Sequence, residues 1–93
     1  MFHTWRNKIQ LPSRSALDEM YDNDVYLEDV VEILETGFDC SRSKRAGNII
    51  ERCIQRGDRI FKVVVVDANE HMLIAHVGTF KASRKKMQQF KRR

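Results

Sequence analysis

The pattern of apolar and polar positions in the first forty residues is mainly helical. A strand-like segment, Asn7–Leu11, ends at Pro12, and Ser15 with Asp18 resembles a capping box that opens a short helix. This helix is predicted to end near residues 22–24. Three apolar residues fall on one of its faces: Leu17, Met20 and Tyr21.

A second helix is predicted from Leu27 to Gly37. Four apolar residues repeat there at the spacing i, i+3, i+4, i+7, which is the period of a helix with one buried face: Leu27, Val30, Val31 and Leu34. Gly37 can adopt the left-handed conformation that ends many helices. We therefore expect a left-handed glycine at this helix end.

The second half of the chain has the composition of antiparallel strands. Ile49–Gln55 and Ile60–Asp67 flank the turn Gly57-Asp58, and His71–Thr79 follows a second turn at residues 68–70. The run of four valines at residues 63–66 is β-branched throughout, which favours a central strand covered on both faces. Residues 39–48 are polar and are predicted as a loop.

The turn lengths predict which residues face each other. A two-residue turn at Gly57-Asp58 puts Ile54 opposite Phe61, Cys53 opposite Lys62 and Ile50 opposite Val65. A three-residue turn at residues 68–70 puts Lys62 opposite His76. The predicted core face then holds Ile50, Ile54, Phe61, Val63, Val65, Leu73, Ala75 and Val77.

These elements predict an α+β fold in which two helices pack on one face of a three- to four-stranded antiparallel sheet. Ninety-three residues suit one domain, which we assign to residues 1–80. Residues 81–93, KASRKKMQQFKRR, are predicted as a basic C-terminal tail. This tail is either frayed or a last helix held by Met87 and Phe90.

Charge is divided unevenly between the two halves. Residues 1–40 carry three basic and nine acidic side chains, a net charge of −6, whereas residues 41–93 carry fourteen basic and four acidic ones, a net charge of +10. Asymmetry of this kind indicates a nucleic acid or an acidic protein as partner, although charge runs are also common on solvated faces.

No apolar run reaches the roughly 18 residues that a membrane span needs, and residues 1–5 lack the apolar region of a signal peptide. We therefore expect a cytoplasmic protein without membrane contact. Cys40 and Cys53 have no paired spacing, which predicts two free thiols and no structural disulfide.

The order of these segments resembles a known family. A short helix, a second helix of the form YLEDVVEILETG, a basic loop and a hairpin that ends in IAHVGTF are similar to the DUF4258 family over about residues 8–80. Members of that family resemble the RelE/ParE superfamily of toxins, and some are paired with a zinc-ribbon antitoxin like the partner of MqsR-type ribonucleases. The resemblance implies a toxin-like RNA-interacting protein, a weak or inactive ribonuclease of a toxin–antitoxin pair.

The chain departs from the family where the chemistry is expected. Family members place a histidine before the alanine of the first helix and arginines on that helix and before the second. Here Ser15 precedes Ala16, and acidic or neutral residues occupy the arginine positions: Asp18, Glu19, Asn23 and Asp24. Since phosphate chemistry needs cations, this departure counts against an active nuclease of the family layout. The alternative is a non-catalytic protein-interaction module that uses an acidic helical face and a basic tail.

His76, Lys62 and Glu51 are the candidate catalytic residues. Imidazole can transfer a proton near neutral pH, lysine can hold a phosphate, and a carboxylate can orient either group. The alternative is a solvated sheet face with a Glu51–Lys62 ion pair, which contributes less than about 1 kcal/mol.

Seven cations are candidate nucleic-acid contacts: Arg52, Arg56, Arg59, Lys81, Arg84, Lys85 and Lys86. Arginines beside a turn also keep an exposed hairpin soluble. No cysteine or histidine spacing matches a metal site, so no metal and no cofactor is expected. The expected partners are RNA and a cognate antitoxin-like protein.

Overall fold

The computed structural model describes residues 3–40 and 47–81. In this part of the chain, two helices and six strands follow one another. The first four elements are β1 (Thr4–Trp5), β2 (Lys8–Pro12), α1 (Arg14–Asp22) and α2 (Leu27–Thr36). The last four are β3 (Phe38–Asp39), β4 (Ile49–Arg56), β5 (Arg59–Asp67) and β6 (His71–Lys81).

The strands form a single curled, mixed sheet in the order β1-β2-β6-β5-β4-β3. The prediction of three to four antiparallel strands is therefore wrong. The two additional strands, β1 and β3, have only two residues each, too few to show an alternating pattern. β2 overlaps the predicted strand segment, but it pairs in parallel with β6 as well as antiparallel with β1.

The parallel pair β2–β6 joins the two ends of the described chain. Ile9 lies opposite His71 and Pro12 opposite Ile74. Lys8 strengthens this junction, because its ammonium contacts the Asp67 carboxylate at the end of β5 and donates to the Ala68 carbonyl at 3.2 Å. β2 is thus held in place by contacts with both β5 and β6.

Helix α1 begins two residues earlier than predicted. Ser13, rather than Ser15, is the N-cap, and its hydroxyl accepts a hydrogen bond from the Ala16 amide at 3.1 Å. The Ser13 amide donates to the Ile74 carbonyl at 2.9 Å, which fixes the helix start on the sheet. The buried residues are Ala16 and Met20, whereas Leu17 and Tyr21 are exposed.

Helix α2 matches its predicted bounds and buries Val30, Ile33 and Leu34. Gly37 ends it, but with φ −76° and ψ 178°, so the prediction of a left-handed glycine is wrong. A Cβ at this position would collide with the carbonyl oxygens of Ile33 and Cys53. Gly37 is needed because α2 and β4 approach closely there.

The β4–β5 hairpin confirms the predicted register. Arg56 lies opposite Arg59, Ile54 opposite Phe61, and Ile50 opposite Val65. Gly57 takes a positive φ of 62°, as the tight turn requires. Val63 and Val65 join the helices in one core cluster, with Ile50, Ile54 and Phe61 packed against it.

The predicted register of β5 with β6 is wrong. Ala68 and His71 close the turn, so its loop has two residues, and Val65 lies opposite Ile74. The register then shifts between Val64 and Val65, which leaves Ala75 as a bulged residue. As a result the core face of β6 consists of Met72, Ile74 and Val77, and Leu73 is exposed.

Cys40 and Cys53 form a disulfide, so the prediction of two free thiols is wrong. Phe38 pairs with Cys53 across β3 and β4, which brings Cys40 next to Cys53 on the same side of the sheet. Disulfides are more common in oxidising compartments, and the cysteines therefore give no support to a cytoplasmic location. Neither α1 nor α2 has the length and apolar character to cross a membrane.

Candidate functional site

The structure places His76, Lys62 and Glu51 on the sheet face that points away from the core cluster, but His76 does not lie opposite Lys62 as predicted. Lys62 lies opposite Gly78, and His76 lies opposite Val64. Glu51 also lies opposite Val64, on the other side. Val64 therefore separates Glu51 from His76 by two strand spacings, about 9.5 Å.

Lys62 and Glu51 form an ion pair of their own. The Lys62 ammonium is 3.2 Å from Glu51 Oε1, and the Glu51 side chain is only 6% exposed against 37% for Lys62. Burial of the carboxylate makes this pair more than a solvated surface contact, because removal of Lys62 would leave a buried negative charge. The pair lies beside the disulfide, with Cys40 Sγ 3.8 Å from Glu51 Oε1.

His76 has a different carboxylate neighbour, Glu19 of α1. His76 Nδ1 lies 3.5 Å from Glu19 Oε1, and the histidine side chain is 66% exposed. The same Glu19 oxygen accepts a hydrogen bond from the Val77 amide at 3.3 Å. Glu19 thus occupies the edge of β6 just beyond the point where β2 ends.

The contacts of Glu19 could not be predicted from the sequence pattern, because its partners His76 and Val77 lie more than fifty residues later, on β6. The sequence pattern marked Glu19 only as an acidic residue where the family has arginine. The Glu19 carboxylate lies on the Nδ1 side of the imidazole. The structure therefore joins His76 with Glu19, and Lys62 with Glu51.

The predicted cations lie in two different environments. Arg52 faces the helices: its Nε is 2.9 Å from Asp39 Oδ1, its Nη1 is 3.4 Å from the Leu34 carbonyl, and its guanidinium lies 5.6 Å from the Trp5 ring centre. These contacts hold Arg52 within the fold. It is not part of an open cationic surface.

Arg56, Arg59 and Lys81 meet at one corner of the sheet. Arg56 lies opposite Arg59, and Arg59 lies opposite Lys81, so three adjacent strands each contribute one cation. Arg56 binds Glu32 at 2.7 Å, whereas Arg59 and Lys81 are exposed and have no ion pair with another described residue. We call these three residues the basic corner.

The remaining predicted cations, Arg84, Lys85 and Lys86, lie outside the described residues, as does most of the predicted tail. Among residues 3–40 and 47–81, no group of three or more His, Cys, Asp or Glu side chains is arranged to hold a metal ion. Both cysteines are used in the disulfide.

Comparison of the chain with models of protein families, with curated proteins and with solved structures gave no match.

Proposed function

We propose that this protein binds RNA through the basic corner and the segment that follows it. The observation that carries the proposal is the position of Lys81, the last residue of β6, next to Arg59. From Lys81 the sequence continues through six more cations without a single carboxylate. Cations in this number attract a phosphate backbone, largely without regard to base sequence.

The negative charge of the helices supports an RNA contact that is confined to the basic corner. From Ala16 to Asp39 the chain has nine carboxylates and no Lys or Arg. This segment includes α2 and all of α1 except its first two residues, and a phosphate backbone would be repelled from it. RNA is therefore expected at the basic corner and not at the helices.

The RNA proposal predicts a local effect of charge. Neutralising Arg59→Gln with Lys81→Gln should weaken binding to a single-stranded RNA and reduce the slope of log affinity against log salt by about 0.7 for each lost phosphate contact. The matched control is Arg6→Gln with Arg14→Gln, which removes the same charge from two exposed residues elsewhere. Fluorescence anisotropy at several salt concentrations measures the RNA affinity and its salt dependence for the two double variants. Equal weakening by the two pairs would contradict a local site.

A second candidate function is RNA cleavage, favoured by the exposed His76 beside Glu19. A general base typically contributes 10²- to 10⁴-fold in rate. His76→Gln should therefore abolish cleavage of a labelled RNA, and Glu19→Gln should reduce it, while the matched control His71→Gln at the other end of β6 should cleave normally. If the wild-type protein cleaves no RNA, the cleavage proposal is wrong, and the binding proposal is decided by its own experiment.

The resemblance to toxin families adds one further proposal, an antitoxin-like protein as partner. A toxin of this type slows growth when it is overproduced alone, and co-production of its partner restores growth. The expected results of the RNA-binding experiments do not depend on such a partner.

A further inference from the structure

An apolar cleft lies between α1, the turn to α2 and the first residues of α2. Its volume is about 780 Å³, within the range of ligand-binding clefts. Six apolar or aromatic residues line it: Leu17, Met20, Tyr21, Val25, Tyr26 and Leu27. His3, Asp24 and Glu28 complete its wall.

Several apolar side chains of the cleft remain exposed to solvent in the folded protein. Five large hydrophobic residues of the described chain are exposed, and three of them line this one cleft. Tyr21 is 88% exposed, Tyr26 60% and Leu17 51%. Leu17 and Tyr21 are one turn apart on α1, so they form a continuous stripe. Isolated exposed apolar residues are ordinary, but a contiguous group marks an interaction surface.

The rim of the cleft is acidic. Asp24 and Glu28 belong to its wall, and Asp18 and Asp22 are exposed on α1 beside it. His3 lies 3.7 Å from Glu28 and is the only basic side chain among the described residues of the wall. An occupant must therefore be apolar where it enters the cleft and cationic where it meets the rim.

Local hydrogen bonds hold the turn beneath the cleft in place. The Val25 amide donates to the Met20 carbonyl at 2.8 Å, and the Tyr26 amide donates to Asp29 at 2.9 Å. The Tyr26 hydroxyl donates to Asp24 at 3.2 Å. Since these contacts form without a partner, little ordering is left to oppose binding.

We propose that this cleft binds a basic amphipathic segment of a partner protein. Two or three apolar side chains of that segment pack against Leu17, Tyr21 and Tyr26, and its Lys or Arg residues contact Asp24 and Glu28. This is the mode in which an amphipathic helix docks into a groove. The inference does not depend on RNA binding, because the cleft and the basic corner share no residue.

The test uses a synthetic helical peptide of about 14 residues, four turns, with leucines on one face and lysines elsewhere. A second peptide replaces every lysine by glutamate. We expect the lysine peptide to bind and the glutamate peptide not to bind, as measured by isothermal titration calorimetry.

Two variants separate the cleft from general attraction between charges. Tyr21→Ala keeps the net charge and removes a side chain that folding does not bury, so it should weaken binding of the lysine peptide by about tenfold or more. Leu73→Ala, which truncates an exposed residue of β6, should bind as the wild type does. Equal affinity of Tyr21→Ala and wild type would overturn the proposal. Concentration-dependent self-association that Tyr21→Ala abolishes would also overturn it, since a second copy would then be the occupant.

Discussion

Gly37 is required for a close approach of two backbones and not for an unusual dihedral angle. Its φ of −76° is accessible to any residue. The constraint lies in the Ile33 and Cys53 carbonyl oxygens, which occupy the space of a side chain. A sequence pattern can mark a glycine at a helix end, but it cannot show that a strand from another part of the chain lies against it.

Gly37→Ala should therefore destabilise the protein by about 1–3 kcal/mol through overpacking. For a domain of this size, each kcal/mol lowers Tm by about 4–8 °C. Gly78→Ala is the matched control, because a Cβ there meets nothing within 4 Å. Differential scanning calorimetry measures both variants. A Tm for Gly37→Ala equal to that of Gly78→Ala would show that the two backbones separate without cost.

Tyr26 gives a pH-dependent prediction. Its hydroxyl donates to Asp24, and this hydrogen bond, with the negative charge of Asp24, raises the pKa of Tyr26 above its usual value of 10.0. Because the folded state favours the protonated phenol, the stabilisation is present below about pH 10 and is lost as pH rises through the raised pKa.

Phenolate absorbance in a Tyr21→Phe background follows Tyr26 alone, since the chain has two tyrosines. We expect Asp24→Asn to lower the pKa of Tyr26, because the charge is removed. Asparagine suits the positive φ of 57° at this position, so the turn should persist. An unchanged titration curve in Asp24→Asn would mean that Asp24 does not set this pKa.

Among the elements, β3 depends on the disulfide for its place at the sheet edge. This strand has two residues, and two paired residues contribute little on their own. The Cys40–Cys53 bond closes a loop with a sequence separation of 13, for which the chain-entropy model gives about 3 kcal/mol. The disulfide therefore contributes more to holding β3 at the sheet edge than the hydrogen bonds of β3 do.

Reduction should lower the free energy of unfolding by roughly that amount, about 3 kcal/mol. Urea denaturation with and without a phosphine reductant measures the difference. Cys40→Ala breaks the bond and leaves the buried Cys53 in place, so this variant should be as unstable as the reduced protein and insensitive to reductant. If reductant leaves the urea midpoint of the wild type unchanged, the disulfide does not contribute to the free energy of unfolding as expected.

The two hairpins show what a strand pattern can and cannot predict. The β4–β5 register followed from the sequence because a Gly-Asp turn has a defined length. The β5–β6 register did not, because the bulge at Ala75 has no local signature and Asn69-Glu70 is not a typical two-residue turn. One residue of shift moved Leu73 from the predicted core to the surface.

At the scale of the molecule, the sequence predicted the division of charge and the Glu51–Lys62 ion pair of one hairpin, but not the pairs between distant elements. The acidic helices and the basic end of the sheet follow from composition. The contacts of Glu19 with His76 and of Lys8 with Asp67 join residues far apart in the chain. Such pairs depend on β2 lying beside β6, and no periodicity predicts a parallel pairing over that distance.

The β2–β6 pairing also has a consequence during protein synthesis. The first 40 residues emerge from the ribosome with their strand partner still roughly sixty positions behind, since Ile9 pairs with His71. Until β4, β5 and β6 follow, the apolar faces of α1 and α2 lack the strands that cover them in the folded protein, and exposed surface of this kind promotes aggregation. The excess of carboxylates on this segment gives the nascent chain a net negative charge, which keeps such segments apart before the sheet closes.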